Sequence, residues 1–373
     1  MGPPSSWRRW GRPAIEEFQF VSKFSGYGAL GVQLFFIVSG FVILLSAQGR
    51  TVGQFVASRV ARLYPAYWVA VLATGLLTWV AVDVFKPASP TKILVNLTMM
   101  QEALGVGHVD GVYWTLWVEL LFYIMGACLI AIGMNERRLM AFIVLWPIAA
   151  GMAATAENTL LVDLLSPRYA ALFCGGMAIF LIHRYGHSLL RWLLVAYCVA
   201  IATQQTVDLF VMGTMQRVTG LELSPSVATI VVLSLFGLVI AVTLSPLKYL
   251  GWRWMSVAGA LTYPVYLIHE NWGWAIIQTL APHLNKWVVL AVALTFTLVV
   301  AWAIERWVER PGRRLLRPAL ERVLTPHPPD PGRPGRRRPT ADEAPRDGGP
   351  GDTRGADDHA PAASPGRVSS VSG

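Results

Sequence analysis

The sequence predicts an all-α fold: a polytopic bundle of about nine transmembrane helices followed by a disordered C-terminal tail. Three observations carry this. Of 373 residues, 54% are hydrophobic and only 14% charged, against about 25% charged in soluble domains. Apolar runs of membrane-spanning length recur along the chain. They are too long for barrel strands, and only helices or closed barrels satisfy the backbone in lipid. Lys and Arg also concentrate in alternate loops, as the positive-inside rule requires.

In chain order the spans fall at 26–47, 64–85, 112–133, 139–155, 168–184, 189–206, 226–244, 257–281 and 287–305. Residues 1–25 form a polar lead-in, 26–322 one membrane domain with short loops, and 323–373 a cytoplasmic tail. The longest internal loop, 86–111, holds KPASPTK and GVGHVDG; its apolar stretch Ile93–Met100 is too short to span and lies at the interface or re-enters. Residues 306–322 are basic and form a juxtamembrane helix. The tail combines low hydrophobicity with Pro, Gly and mixed charge, a composition that cannot offset the entropy of folding.

The net charge of +9 raises nucleic acid as a partner, but its distribution points to a lipid bilayer instead. The loops that alternate from 48–63 onward, together with 306–322, are rich in arginine, whereas 86–111, 156–168, 207–225 and 282–286 are poor in it. This places the C-terminus in the cytoplasm and the protein in the plasma membrane as a multi-pass chain. It also puts Arg8, Arg9, Arg12 and Lys23 outside with no apolar signal segment ahead of them, which points to a further span upstream. Cys128, Cys174 and Cys198 are scattered within spans, so neither a disulfide framework nor a metal site is expected; they read as packing residues.

Glu119 is the residue of greatest interest. It lies in GVYWTLWVELLFYIMGACLIAIG, which has no other charge. At 1.5 Å per residue, the run from Val112 to Gly133 reaches ~33 Å and spans a bilayer. A carboxylate there costs roughly 2.5–3.5 kcal/mol, so it needs a partner or a task. Thr115, Glu119 and Tyr123 share one helix face at i, i+4, i+8, with Tyr113 and Trp114 one turn nearer the outer surface. Glu119 is either a general acid/base or anchor for one, or a carboxylate paired for packing.

Arg59 and Arg62 in SRVARLYPAYW also share a helix face. Two guanidiniums there either grip a phosphate-rich ligand such as coenzyme A or serve as ordinary positive-inside residues on lipid phosphate. In the first span, Gly28, Gly31 and Gly40 permit close backbone approach, and Ser39 reads as a packing residue. In LTYPVYLIHENWGW, Pro264 kinks the helix, and Tyr266, His269 and Glu270 fall at i, i+3, i+4 with Asn271 beside them. His269 is the best candidate base in the chain; the other reading is a His–Tyr or His–Glu bond locking two helices. His108 and Asp110 have no catalytic spacing and read as loop residues.

Six segments in order resemble the acyltransferase 3 family of integral membrane O-acyltransferases. They are GALGVQLFFIVSGF (Gly28–Phe41), RVARLYP (Arg59–Pro65), WTLWVELLFY (Trp114–Tyr123), FCGGM (Phe173–Met177), TYPVYLIH (Thr262–His269) and ERPGRR (Glu309–Arg314). The resemblance implies transfer of an acyl group, often acetyl, from cytoplasmic acyl-CoA to a hydroxyl of a glycan, envelope polymer or secondary metabolite. No bound cofactor is implied. The Arg59/Arg62 pair would serve the donor side, and Glu119 would be the site carboxylate with His269 near it. Trp114, Tyr123 and Tyr266 would line the substrate site. The family's core has one span more, at its start, carrying a His regarded as catalytic; no residue here matches it. Two other readings remain: a proton-coupled transporter with Glu119 and His269 as relay, and a non-catalytic member of the family.

Overall fold

The structure, a computed structural model, describes residues 18–216, 222–249 and 251–325. The lead-in up to residue 17, with Arg8, Arg9 and Arg12, and the tail beyond Thr325 lie outside the described residues. All described regular structure is helical.

A short helix, α1 (Gln19–Gly28), turns at Ala29 and Leu30 into α2 (Gly31–Ala47). Helix α3 (Val52–Val80) then starts twelve residues before the expected span and ends five before its expected end. The physical reason for the early start is local. Thr51 and Gln54 form a capping box, each side chain bonded to the other's backbone N–H, which seats the helix ahead of the apolar run. Arg59 and Arg62 therefore lie inside α3. After α3, the 86–111 loop holds α4 (Pro90–Asn96) and is tied back to α3 by Trp68, Trp79 and Tyr64, which donate to the carbonyls of Leu97, Ala88 and Thr98.

A turn of 3-10 helix at Gly111–Tyr113 leads into α5 (Trp114–Ala131), followed by α6 (Glu136–Thr155). Helix α7 (Thr159–Leu165) stops at Ser166, whose φ of 46° is left-handed. Helix α8 (Pro167–Tyr185) then restarts with Pro167 at a position that needs no N–H. Helix α8 is the most deeply buried of the bundle and packs against α2, α6 and α9 (Leu189–Gln205). Helices α10 (Pro225–Leu244), α11 (Arg253–Leu280) and α12 (Lys286–Ile304) complete the apolar part. A π turn at Glu305–Glu309 joins α12 to α13 (Arg310–Leu324) without a break. The wider turn accommodates Pro311, whose ring would otherwise meet the preceding turn.

Among the described residues, eight helical stretches are long and apolar enough to cross a membrane, against the nine spans read from sequence. The ninth, α11, is 28 residues long and runs unbroken through Pro264. It falls short on apolarity because its middle carries His269, Glu270 and Asn271, of which His269 lines the cavity described below.

The closest helix contact is between α2 and α8. A Cβ on Gly40 would overlap the Phe173 carbonyl, and one on Gly176 would overlap the Ile37 carbonyl. The SGF and GGM segments thus interlock through two glycines, and Phe36, Phe122, Trp146 and Phe173 fill the space beside them. Gly28 and Gly31, expected to do the same, do not: a Cβ on either meets nothing within 4 Å. They border open space instead.

Candidate active site

That open space is a cavity of ≈ 530 Å³ enclosed by α2, α3, α5 and α11, a size usual for small-molecule sites. Its wall carries Arg59 and Arg62 from α3, Thr115, Glu119 and Tyr123 from α5, and Tyr266 and His269 from α11. Residues up to 241 positions apart in the chain (269 − 28) are brought to one surface. Trp114 is not among them. It points away from the cavity into the aromatic core, with its ring 5.2 Å from Tyr169 and 6.3 Å from Phe36. Ser39 does line the cavity.

Glu119, Arg59, His269 and Tyr266 are each held in a defined orientation. Glu119 is 6% exposed, and the hydroxyl one turn along at Tyr123 donates to its Oε1 at 2.6 Å. The Arg59 guanidinium, 7% exposed, lies over the rings of Phe55 and Tyr123 at 5.5 and 5.6 Å. Such contacts attract a cation to the ring face. Its Nη2 donates to Ser46 Oγ at 2.7 Å, while its Nε is buried with no hydrogen-bond partner. A buried donor left unmade costs about 1–3 kcal/mol. Arg62 is exposed towards the same space.

On α11, Nδ1 of His269 lies 2.8 Å from the Tyr266 carbonyl. A carbonyl only accepts, so Nδ1 carries the proton and Nε2 of the neutral ring is left as the acceptor. The Tyr266 hydroxyl donates to the Val112 carbonyl at 2.7 Å and lies 2.5 Å from Thr115 Oγ1.

Asp110, which the sequence marks only as a loop residue, proves to be a structural key of this wall. It is fully buried. Its Oδ1 accepts from Val112 N–H at 3.3 Å and its Oδ2 from Asn271 N–H at 3.3 Å. Asn271 Nδ2 donates to the Val109 carbonyl at 3.1 Å, and the Tyr113 hydroxyl donates to the Leu267 carbonyl at 3.3 Å. Residues 109–115 are in this way stitched to 266–271, which sets the start of α5 against α11. The signal in the sequence was its position directly ahead of an apolar run, where Asp caps a helix start.

Burial, and then the neighbouring Glu270 carboxylate, push the Asp110 carboxyl above the usual carboxylate range. A raised value in the folded state gives stability that is complete at low pH and is lost as pH rises through that value. Asp110→Ala should therefore cost about 1–3 kcal/mol by stranding two N–H donors, and Asp110→Asn distinctly less. The thermal midpoint of the Asn variant should also depend less on pH than that of wild type. Thermal unfolding in detergent across pH 5–8 checks both; equal midpoints for the two variants would remove the seam from the account.

The family model for the acyltransferase domain, acyltransferase 3, matches residues 4–306. Nodulation protein 10 of Rhizobium leguminosarum bv. viciae is 26% identical over 356 residues, covering 86% of this chain and 91% of that protein. Exopolysaccharide production protein ExoZ of Rhizobium meliloti (strain 1021) is 32% identical over 119 residues, 30% of this chain and 37% of that protein. No solved structure matches. A family match across most of the membrane domain settles the assignment: the chain belongs to the acyltransferase 3 family and is a multi-pass membrane acyltransferase.

Proposed function

We propose that the protein moves an acyl group, acetyl in the simplest case, from cytoplasmic acyl-CoA to a hydroxyl of a polysaccharide or other glycan acceptor at the plasma membrane. The observation that supports this most is the single cavity that carries Arg59 and Arg62 together with Glu119 and His269. Cationic and proton-transfer groups then face one volume large enough for a thioester and a hydroxyl. The relative named for exopolysaccharide production supports the acceptor class.

In this reading the acceptor oxygen attacks the thioester carbonyl. Its proton passes to a group on the cavity wall, for which His269 Nε2 and the Glu119 carboxylate are the acceptors at hand. The C–S bond then breaks and the departing thiolate takes up a proton. The free Arg59 Nε–H offers a hydrogen bond to an oxygen of the donor, and Arg62 adds positive charge at the same wall. In this reading the C-terminus faces the cytoplasm, in line with the arginine-rich loops, and the donor reaches the cavity from the α3–α13 side.

Arg59→Ala combined with Arg62→Ala should raise the KM for acyl-CoA by about tenfold or more, since a hydrogen bond to a charged group contributes about 1.5–3 kcal/mol. Initial rates at varied acyl-CoA, on membranes with matched protein levels, measure this. Unchanged donor kinetics would leave the pair as topology residues.

A further inference from the structure

Helix α13 is not accounted for by the site above, yet it lies directly against the arginine-bearing half of α3. A Cβ on Gly312 would meet Pro65 Cβ at 2.7 Å, and one on Gly53 would overlap the Leu324 carbonyl. The two helices therefore run antiparallel in a shared register of twelve residues (65 − 53 and 324 − 312). In that register Arg317 falls at the level of Arg59 and Val60.

A third guanidinium arrives from the α2–α3 turn. Arg50 Nη1 donates to Ser58 Oγ at 3.1 Å, directly beside Arg59. Both serine hydroxyls are committed as donors, Ser58 to the Phe55 carbonyl and Ser46 to the Ile43 carbonyl. Each serine is therefore oriented to accept from an arginine, Ser58 from Arg50 and Ser46 from Arg59. These partners are neutral and cancel no charge. Arg317 alone has a carboxylate, donating from Nε to Glu321 at 2.8 Å. The three guanidiniums are thus close enough for Arg59 and Arg317 to repel Arg50, with Glu321 on Arg317 and Glu119 on the same cavity wall as Arg59. Partial burial, and after it the charges of Arg317 and Arg59, push the Arg50 guanidinium below its ordinary value, with Glu321 opposing.

Neighbouring guanidiniums that neutral hydroxyls hold in place offer an anion more than one fork, and arginine forks match phosphate oxygens two at a time. Arg59 belongs to both this cluster and the cavity wall, and its Nε has no partner. We propose that Arg50 and Arg317, with Arg59, form a phosphate subsite at the donor mouth of the cavity, so that α13 is part of the acyl donor's binding surface. This rests on the acyl-CoA reading above. An anionic lipid headgroup carries the same chemistry, but it would have no reason to converge on an arginine that also lines the reaction cavity.

The test compares acyl-CoA with acyl-pantetheine, which lacks every phosphate, as donors for wild type and for Arg50→Gln with Arg317→Gln. The enzyme is reconstituted in neutral phosphatidylcholine vesicles and in vesicles with added phosphatidylglycerol. The expected result is a rise of about tenfold in the KM for acyl-CoA with kcat kept, in both vesicles, while acyl-pantetheine kinetics stay unchanged. The unchanged acyl-pantetheine rate also shows that the variant is folded. An equal loss with both donors, no loss with either, or a loss confined to anionic vesicles would overturn the subsite. Wild-type enzyme that turns over acyl-pantetheine and acyl-CoA alike, or neither, would instead overturn the donor reading on which it rests.

Discussion

Glu119→Gln is expected to abolish acyl transfer while leaving the protein folded in the membrane. The substitution keeps shape and volume, and a Gln carbonyl can still accept from the Tyr123 hydroxyl that now lies 2.6 Å from Oε1. What it removes is the negative charge and the capacity to take or balance a proton. A positioned acid/base group contributes about 10²–10⁴-fold to rate, so loss of at least ~10²-fold in kcat is the expected scale. The conditions favour this result. Glu119 sits on a cavity wall with two arginines and His269, not in a closed ion pair with one of them. Transfer assays on membranes with equal protein, plus thermal unfolding of the purified variant, check the two halves separately. A wild-type rate would remove Glu119 from the chemistry.

The second large effect is on stability. Gly176→Ala and Gly40→Ala should each destabilise the fold by about 1–3 kcal/mol or more, the usual scale of overpacking. The new methyl at Gly176 would strike the Ile37 carbonyl oxygen and lie 2.8 Å from Phe41 N; that at Gly40 would strike the Phe173 carbonyl. These are backbone atoms of packed helices, and they cannot rotate aside as a long side chain can. The internal control is Gly31→Ala on the same helix, where the methyl meets nothing within 4 Å and stability should hold. Thermal midpoints in detergent decide it. Equal midpoints for all three would mean that α2 and α8 are not in this contact. Separating α2 from α8 would also shift Ser39 on the cavity wall, so the destabilised variants should lose activity together with stability.

The site was legible in part because polar residues in an apolar run are conspicuous. Glu119 and His269 stand out by their cost in lipid, and the arginine pair by its spacing. Trp114 was misplaced because a helix position next to a site residue says nothing about which way the ring turns; Phe36 and Tyr169, distant in sequence, decide that. Asp110 was overlooked because its partner is Asn271, 161 residues away, and a lone loop carboxylate carries no periodic signal. The same limit explains the glycines. Gly28, Gly31 and Gly40 look alike on one helix, but only the position of α8 separates the packing glycine from those that border the cavity.

The sequence by itself determined that this chain is a helical membrane protein, where its apolar helices lie, and which of its rare charges carry an energetic cost. Those are local properties: composition, run length and the price of a charge in hydrocarbon do not depend on neighbours far along the chain. Only the tertiary structure decided that α11 brings Tyr266 and His269 to the same cavity as the α5 carboxylate and that α13 lies along the arginines of α3. These are outcomes of helix against helix. They depend on close contacts such as Gly40 with Phe173 and Asp110 with Asn271, which no single segment encodes.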